Sequence, residues 1–166
     1  MSERNGQLLI DGDRAVLKFE RRLPFPIDAV WSAITDPTER EQWFGKTTIE
    51  PRAGGLLDMV ATGPPLPPER KRMTGRILVW DPPNVLEHEW KQPIVEDGVV
   101  RYELTADGDG TILRFTHRGL GVRSANGFLG GTHAFLDRLE AYLASDELPD
   151  WVQRRLEITG TPIKET

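Results

Sequence analysis

The sequence contains no cysteine among its 166 residues. This absence excludes disulfides, thiolate metal ligands and cysteine nucleophiles, and it is typical of proteins in a reducing compartment. The N-terminal segment MSERNGQLLIDGDR lacks the apolar stretch of a signal peptide. No run of residues approaches the roughly 18 apolar positions of a membrane span. We therefore expect a cytoplasmic protein without integral membrane association.

Blocks of positive charge are missing as well. The 21 Lys and Arg residues are interspersed with 26 Asp and Glu residues, for a formal net charge of -5. Nucleic-acid-binding proteins concentrate basic residues on one surface, so we expect no nucleic-acid partner. With 38% hydrophobic residues, the chain is typical of a globular protein. Its length predicts one domain over residues 1–166, with a core at about 7–145 and an extension at 146–166 that carries a short helix.

Catalytic motifs are scarce. The few serines lie outside any Gly-x-Ser-x-Gly motif, and neither a dinucleotide-binding nor a phosphate-binding glycine loop is present. Glu87 and Glu89 alternate with residues that we expect to face inward, so this pair should point away from the interior. The three histidines do not share the short spacing of metal ligands. We predict no catalytic residue, no metal and no cofactor.

The sequence does contain a regular order of predicted elements. Alternating residues predict two strands within residues 7–23, and apolar residues at helical spacing predict a short helix over about 27–34. Asp36 and Pro37 then predict the start of a second helix, with Asp36 as its cap, and this helix should end near Gly45. An antiparallel meander follows, because the period changes to two and turn residues separate short segments. Its strands are predicted near 47–50, 55–61, 72–80, 85–91, 98–105 and 111–118.

Two segments interrupt or follow this meander. The four prolines within residues 63–70 predict a stiff, extended surface loop, since proline cannot donate to a strand ladder. A long helix is predicted from about 126 to 144, with an apolar stripe that includes Phe128 and Phe135. Outside this stripe we expect Ala134, Asp137, Arg138 and Ala141. A short helix is predicted in DWVQRRLEI, anchored through Trp151 and Leu156.

Taken in order, these elements resemble the START and pollen-allergen superfamily, also called SRPBCC. The successive strings FERRLPFPIDAVWSAITDPTEREQWF, IEPRAGG, GRILVWDPPNVLEHEW, YELTADGDGTILRFTH and FLGGTHAFLDRLEAYL are similar to its activator-of-heat-shock-ATPase-homologue branch. The resemblance covers about residues 7–145. It implies an α+β helix-grip fold, in which a curved antiparallel sheet wraps around a long C-terminal helix and two short helices follow the first long strand. An apolar cavity should lie between sheet and helix.

Aromatic and polar side chains on the inward positions are the candidates for a ligand site. Large rings can line a pocket, although plain core packing explains part of the set equally well. His88, Trp90, Tyr102 and His117 stand out, because each carries a polar atom that needs a partner when buried. The predicted ligand-binding residues are Trp43, Phe44, Met59, His88, Trp90, Tyr102, Phe115, His117, Phe128 and Phe135.

Three functions remain open at this point. The first is the binding of a small hydrophobic or amphipathic molecule. The second is a cyclase or dehydratase reaction in the same cavity, with His88 or His117 moving protons. The third is a co-chaperone that stimulates a heat-shock ATPase. The resembling eukaryotic activators use an additional N-terminal domain for this, whereas here the first predicted strand begins near residue 7. Homodimer formation is also left open.

Overall fold

An eight-stranded, curved antiparallel sheet forms the body of the protein in the computed structural model, which describes residues 3–160. Its strands are β1 (Gln7–Asp11), β2 (Arg14–Leu23), β3 (Gly45–Ile49), β4 (Leu56–Ala61), β5 (Arg72–Asp81), β6 (Val85–Trp90), β7 (Gly98–Asp107) and β8 (Gly110–Gly121). They are arranged in the order β1-β2-β8-β7-β6-β5-β4-β3, so the first hairpin pairs with the last strand of the meander. The predicted domain over 1–166 stays a prediction, and its residues 1–2 and 161–166 lie outside the described range.

Five helices accompany the sheet in this range. They are α1 (Ile27–Thr35), α2 (Pro37–Trp43), α3 (Pro68–Lys71), α4 (Val122–Leu143) and α5 (Trp151–Thr159). The long helix α4 packs against β1, β2 and β8 and against α1, α2 and α5. The predicted α+β helix-grip fold, with two short helices after the first long strand, is therefore confirmed.

The alternation of β2 explains how the sheet contacts α4. Leu17, Phe19 and Leu23 point into the core, as predicted, and Arg21 takes the inward position between them with only 1% exposure. Its Nη1 lies 2.6 Å from a carboxylate oxygen of Asp137 on α4. Its Nε donates a hydrogen bond to the backbone oxygen of Arg4 at 3.0 Å. This inward arginine fixes the long helix to the second strand.

The flanks of α4 correct two predictions. Ala134 is buried and the Asp137 side chain is only 9% exposed, although both lie outside the apolar stripe, because β2 and α5 cover the helix on sides that the stripe alone does not show. The helix also begins at Val122 rather than near 126. The carboxylate of Glu96 accepts a hydrogen bond from the Gly121 backbone N–H at 2.8 Å. A residue of a distant loop thus holds the backbone just before the helix, which local sequence could not indicate.

Two smaller corrections concern proline-containing segments. Residues 63–70 are not extended throughout, since one helical turn forms at Pro68–Lys71, where proline at the first position costs no hydrogen bond. Asp36 does precede α2 and Pro37 does begin it, but the Asp36 side chain accepts no hydrogen bond from the helix. The short tail helix forms as predicted at Trp151–Thr159, with Trp151 buried.

Candidate functional site

A cavity of about 330 Å³ lies between α4 and the inner side of strands β4 to β8. The segment around Gly63 and Pro64 and the tail helix α5 complete its wall. The volume lies at the lower end of the range for small-molecule sites, roughly 300–1,000 Å³. Most of the lining side chains are apolar, so the cavity favours an apolar or partly apolar occupant.

Nine of the ten predicted residues line this cavity. They are Trp43, Phe44, Met59, Trp90, Tyr102, Phe115, His117, Phe128 and Phe135. His88 does not, because its fully buried ring lies behind the wall, with centroid distances of 6.3 Å to Trp90 and 6.4 Å to Tyr102. The role of the nine residues in ligand binding stays a prediction, whereas their common location is a feature of the structure.

The aromatic rings of the wall support one another. The Trp90 ring lies 5.1 Å from His117 and 5.8 Å from Phe128, in tilted and edge-on arrangements. At the other side, Phe44 lies 4.6 Å from Phe135. Edge-on and tilted pairs are the favourable geometries for rings. Each ring is therefore held by neighbours, and the cavity is formed before any ligand enters.

Two polar groups in the wall have no internal partner. His117 is 1% exposed, and no residue of the described chain hydrogen-bonds its Nε2. The hydroxyl of Tyr102 makes no hydrogen bond within residues 3–160 either, but it is not among the fully buried atoms, and its side chain lines the cavity. Trp90 differs, because its Nε1 donates to Gln92 at 3.0 Å. An unpaired buried polar atom is costly, so a ligand atom that pairs with Nε2 of His117 gains more than it would in water.

Burial keeps both inner histidines uncharged. It lowers the pKa of His117 to about 3, with a smaller contribution from the neighbouring His88. It lowers the pKa of His88 to about 4, and Arg40 adds to this effect. Nδ1 of His88 lies 2.9 Å from the backbone oxygen of Glu89, which can only accept, so this nitrogen carries the proton. At neutral pH the two rings act as neutral hydrogen-bonding groups.

The third histidine lies away from the cavity wall. His133 on α4 faces Asp137 at 3.6 Å and packs edge-on against Phe19.

Within residues 3–160, no three His, Cys, Asp or Glu side chains come together in a way that could hold a metal ion. No helix of that range combines the length and the hydropathy that crossing a membrane requires.

Trp151 is a wall residue that sequence reasoning missed. We predicted it as an anchor of the tail, but its buried indole also closes the cavity between two glycines. Its Nε1 donates to the Gly131 oxygen at 3.2 Å, and a Cβ at Gly131 would lie 3.1 Å from the ring. A Cβ at Gly63 would overlap the indole. No local pattern connects positions 63, 131 and 151, so only the fold brings them together.

Arg40 is a second residue near the cavity that the sequence analysis did not single out. It lies just behind the cavity wall. It is 1% exposed, and its Nη1 donates to the Ile34 oxygen at 2.9 Å. Its Nη2 lies 2.9 Å from the Met59 sulfur, and its guanidinium carbon lies 4.6 Å from the Phe44 ring centroid. The spacing was visible in the sequence, since Arg40 precedes Trp43 and Phe44 by one helical turn.

These observations first define the class of protein. A curved antiparallel sheet that grips a long helix, with an apolar space between them, is the helix-grip fold of the SRPBCC superfamily. Within this class, residues 24–144 match the family described as Activator of Hsp90 ATPase homolog 1-like protein. The match covers well over half of the chain, and the protein belongs to this family.

Solved structures show the same fold. The crystal structure of CalU16 from Micromonospora echinospora is 25% identical, with a TM-score of 0.70, over 92% of this chain and 88% of that chain. A solution NMR structure of a Bordetella parapertussis protein is 24% identical, with a TM-score of 0.71, over 96% and 90% of the two chains. A conserved Enterococcus faecalis protein of unknown function is 15% identical, with a TM-score of 0.71, over 93% and 88%. The sequence matches no curated protein.

Proposed function

We propose that the protein binds a small apolar or amphipathic molecule in the cavity between α4 and strands β4 to β8. The observation that carries this proposal is a preformed apolar cavity of about 330 Å³ whose wall holds the buried Nε2 of His117, which has no hydrogen-bond partner among the described residues. Burial of apolar ligand surface supplies affinity at about 25 cal/mol per Å². His117 orients the ligand, since its Nε2 gains a hydrogen bond that the described residues do not provide, and the Tyr102 hydroxyl in the same wall can pair with the ligand as well.

A reaction in the cavity is the second candidate, because His117 and Tyr102 both contact the same space. The low pKa of His117, about 3, makes its imidazole a weak base at neutral pH. Efficient proton transfer needs a pKa near the working pH. The chemistry of the wall therefore supports hydrogen bonding to a ligand more strongly than a cyclase or dehydratase reaction.

Binding of the neutral dye Nile red tests the proposal directly. Gly127 lines the cavity from the exposed side of α4, and a Cβ built there meets nothing within 4 Å. Gly127→Trp should therefore fold normally while its indole blocks the cavity, and we expect the affinity for the dye to fall by about tenfold or more, or 1.4 kcal/mol. Fluorescence titration measures the affinity, and circular dichroism checks the fold.

Gly127→Ala is the matched control, because it replaces the same glycine without filling the space. It should bind the dye as the wild type does. Equal binding by all three proteins would place the dye outside the cavity and contradict the proposal, as would a wild type that binds no dye. Native mass spectrometry of protein purified from its own host should show a bound small molecule that Gly127→Trp lacks.

A further inference from the structure

The charged side chains in the cavity wall have one sign, although the chain as a whole carries a net charge of -5. Lys71 and Arg155 both contribute to the wall, and no Asp or Glu of the described residues does. In a protein with more acids than bases, this distribution makes the cavity an electropositive site in an acidic molecule. Low-dielectric walls strengthen such a field inside a cleft.

Arg40 adds a third positive charge, immediately behind the wall. Among the residues that the structure describes, no carboxylate forms an ion pair with its guanidinium, and its Nε has no hydrogen-bond partner. Phe44 and Met59, which contact this guanidinium, both line the cavity. A buried charge without a counter-charge is costly, and its field reaches further through apolar side chains than through water.

Lys71 lies in the cavity wall, beside the segment around Gly63 and Pro64. Its ammonium donates to the Pro64 oxygen at 2.9 Å, so it is held beside the loop that borders the cavity. Burial lowers the pKa of Lys71, which means that its ammonium has lost part of its hydration. An anion next to it would replace the lost water contacts. Glu96 hydrogen-bonds the wall residue Ser124, but it is also engaged by the Gly121 backbone at the start of α4.

We propose that the ligand of this cavity is an amphipathic anion, with its apolar part against the aromatic wall and its negatively charged head group beside Lys71. Arg40 strengthens the attraction from behind the wall through its uncompensated charge. This inference rests on the proposed function, since it names the class of molecule that the cavity binds. Lys71 recognises the head group through an ammonium N–H that can donate a further hydrogen bond. A carboxylate or a sulfate accepts such a bond equally well.

Displacement of Nile red by ligands with equal numbers of carbon atoms separates the effect of head-group charge on affinity from the effect of apolar burial. Decanoate, decyl sulfate, decanol and decylamine contain ten carbon atoms each and differ mainly in their head group, and each is titrated below its critical micelle concentration. We expect both anions to displace the dye at about tenfold lower concentration than decanol, the size of a hydrogen bond to a charged group. Decylamine should be the weakest competitor.

Lys71→Gln removes the charge while it keeps a donor for the Pro64 oxygen, so the loop should stay in place. This variant should bind decanoate and decanol with similar affinity, whereas Lys71→Arg should keep the preference for anions. Lys46→Gln is the matched control, because it makes the same change in net charge at an exposed position outside the cavity wall. It should leave the preference unchanged.

The outcomes separate this inference from the proposed function. If decanol displaces the dye as well as the anions do, or if Lys71→Gln keeps the preference, the cavity binds ligands but does not select anions. If the effect of Lys46→Gln equals that of Lys71→Gln, the preference comes from net charge, and the inference is wrong. If Nile red does not bind at all, the proposed function fails, and this inference fails with it.

Discussion

Arg21 and Arg40 are equally buried, at 1% exposure each, but their surroundings differ. Arg21 faces the carboxylates of Asp137 at 2.6 Å and Glu140 at 3.5 Å. Arg40 faces a backbone oxygen, a sulfur and two aromatic rings. The first arginine is neutralised by the protein itself, whereas within the described chain the second has no ion-pair partner. One region thus pairs its buried positive charge with carboxylates, and the other leaves its buried positive charge next to a cavity.

This difference indicates separate roles for the two sides of α4. Asp137 also receives Nε of Arg154 from α5 at 2.7 Å, so one carboxylate joins β2, α4 and the tail helix. Such a network fixes the relative positions of elements. The opposite side of the helix lines the cavity, where rings rather than ion pairs hold the wall. Three measurements test this comparison, in order of decreasing effect when the pH titration is counted per pH unit.

Asp137→Ala should have the largest effect. It leaves the buried charge of Arg21 with only the more distant Glu140, and loss of one partner from a buried pair costs about 3 kcal/mol or more. Urea denaturation at neutral pH measures the free energy of unfolding. Arg154→Gln is the control, because it removes a more exposed partner of the same carboxylate and should cost less than about 1 kcal/mol. Equal, small losses in both variants would show that the network is not structural.

The second effect concerns the cavity side and is the pH dependence of the free energy of unfolding, which a titration with urea denaturation at each pH measures. The pKa values of His88 and His117 are about 4 and about 3 in the folded protein, below the ordinary 6.5. The unfolded chain therefore binds more protons below pH 6.5, and stability falls as the pH is lowered from there towards the folded values. Each histidine contributes a slope of up to about 1.4 kcal/mol per pH unit.

The control for the titration is the double variant His88→Gln, His117→Gln. Its stability should depend less on pH between 6.5 and 4 than that of the wild type, whatever its absolute stability. Paired carboxylates such as Asp137, whose pKa is lowered by its arginine partners against the effect of burial, are present in both proteins and cancel in the comparison. Parallel curves would contradict the assignment of buried, neutral histidines.

Arg40→Met should have the smallest effect on stability. It exchanges a buried charge without a carboxylate partner in the described chain for an apolar side chain of similar length. We expect the relief of that buried charge and the loss of the hydrogen bond to Ile34 to offset each other to within about 1 kcal/mol. The same exchange at Arg21 should cost more, because it abandons the buried carboxylate of Asp137. Thermal and urea unfolding of both variants give the comparison. A large loss at Arg40 would mean that its hydrogen bond to Ile34 and its ring contacts are structural.

The sequence predicts most of the fold because the period of two and the turn residues are local signals. The strands of the meander begin and end within a few residues of the predicted positions, and the inward faces are those that alternation indicates. Alternation predicts which face of the sheet a residue points to, but it does not predict how far along the strand the cavity extends. Leu86, His88 and Trp90 share one face, yet only Trp90 reaches the cavity. Only the structure therefore shows that His88 lies behind the cavity wall.

The remaining misses are contacts between distant parts of the chain. Arg21 stands in an otherwise apolar set of inward residues, and only the position of α4 shows that Asp137 meets it. Lys71 belongs to a helix of four residues, which is too short to leave a periodic pattern. Arg155 lies on the tail helix, whose packing against α4 is likewise set by contacts between distant residues. Charge at the cavity is thus a property of the tertiary structure.

The indole of Trp151 between Gly63 and Gly131 also has a consequence for sequence variation in the family. Neither Gly63 nor Gly131 can carry a methyl group without moving the Trp151 ring. A change at one of these three positions therefore calls for a change at the others. Relatives that retain a tail helix in this place should carry small residues opposite a large aromatic one. Where the aromatic residue is absent, larger side chains should occupy the two facing positions. The trio should therefore covary across an alignment, despite a separation of many residues along the chain.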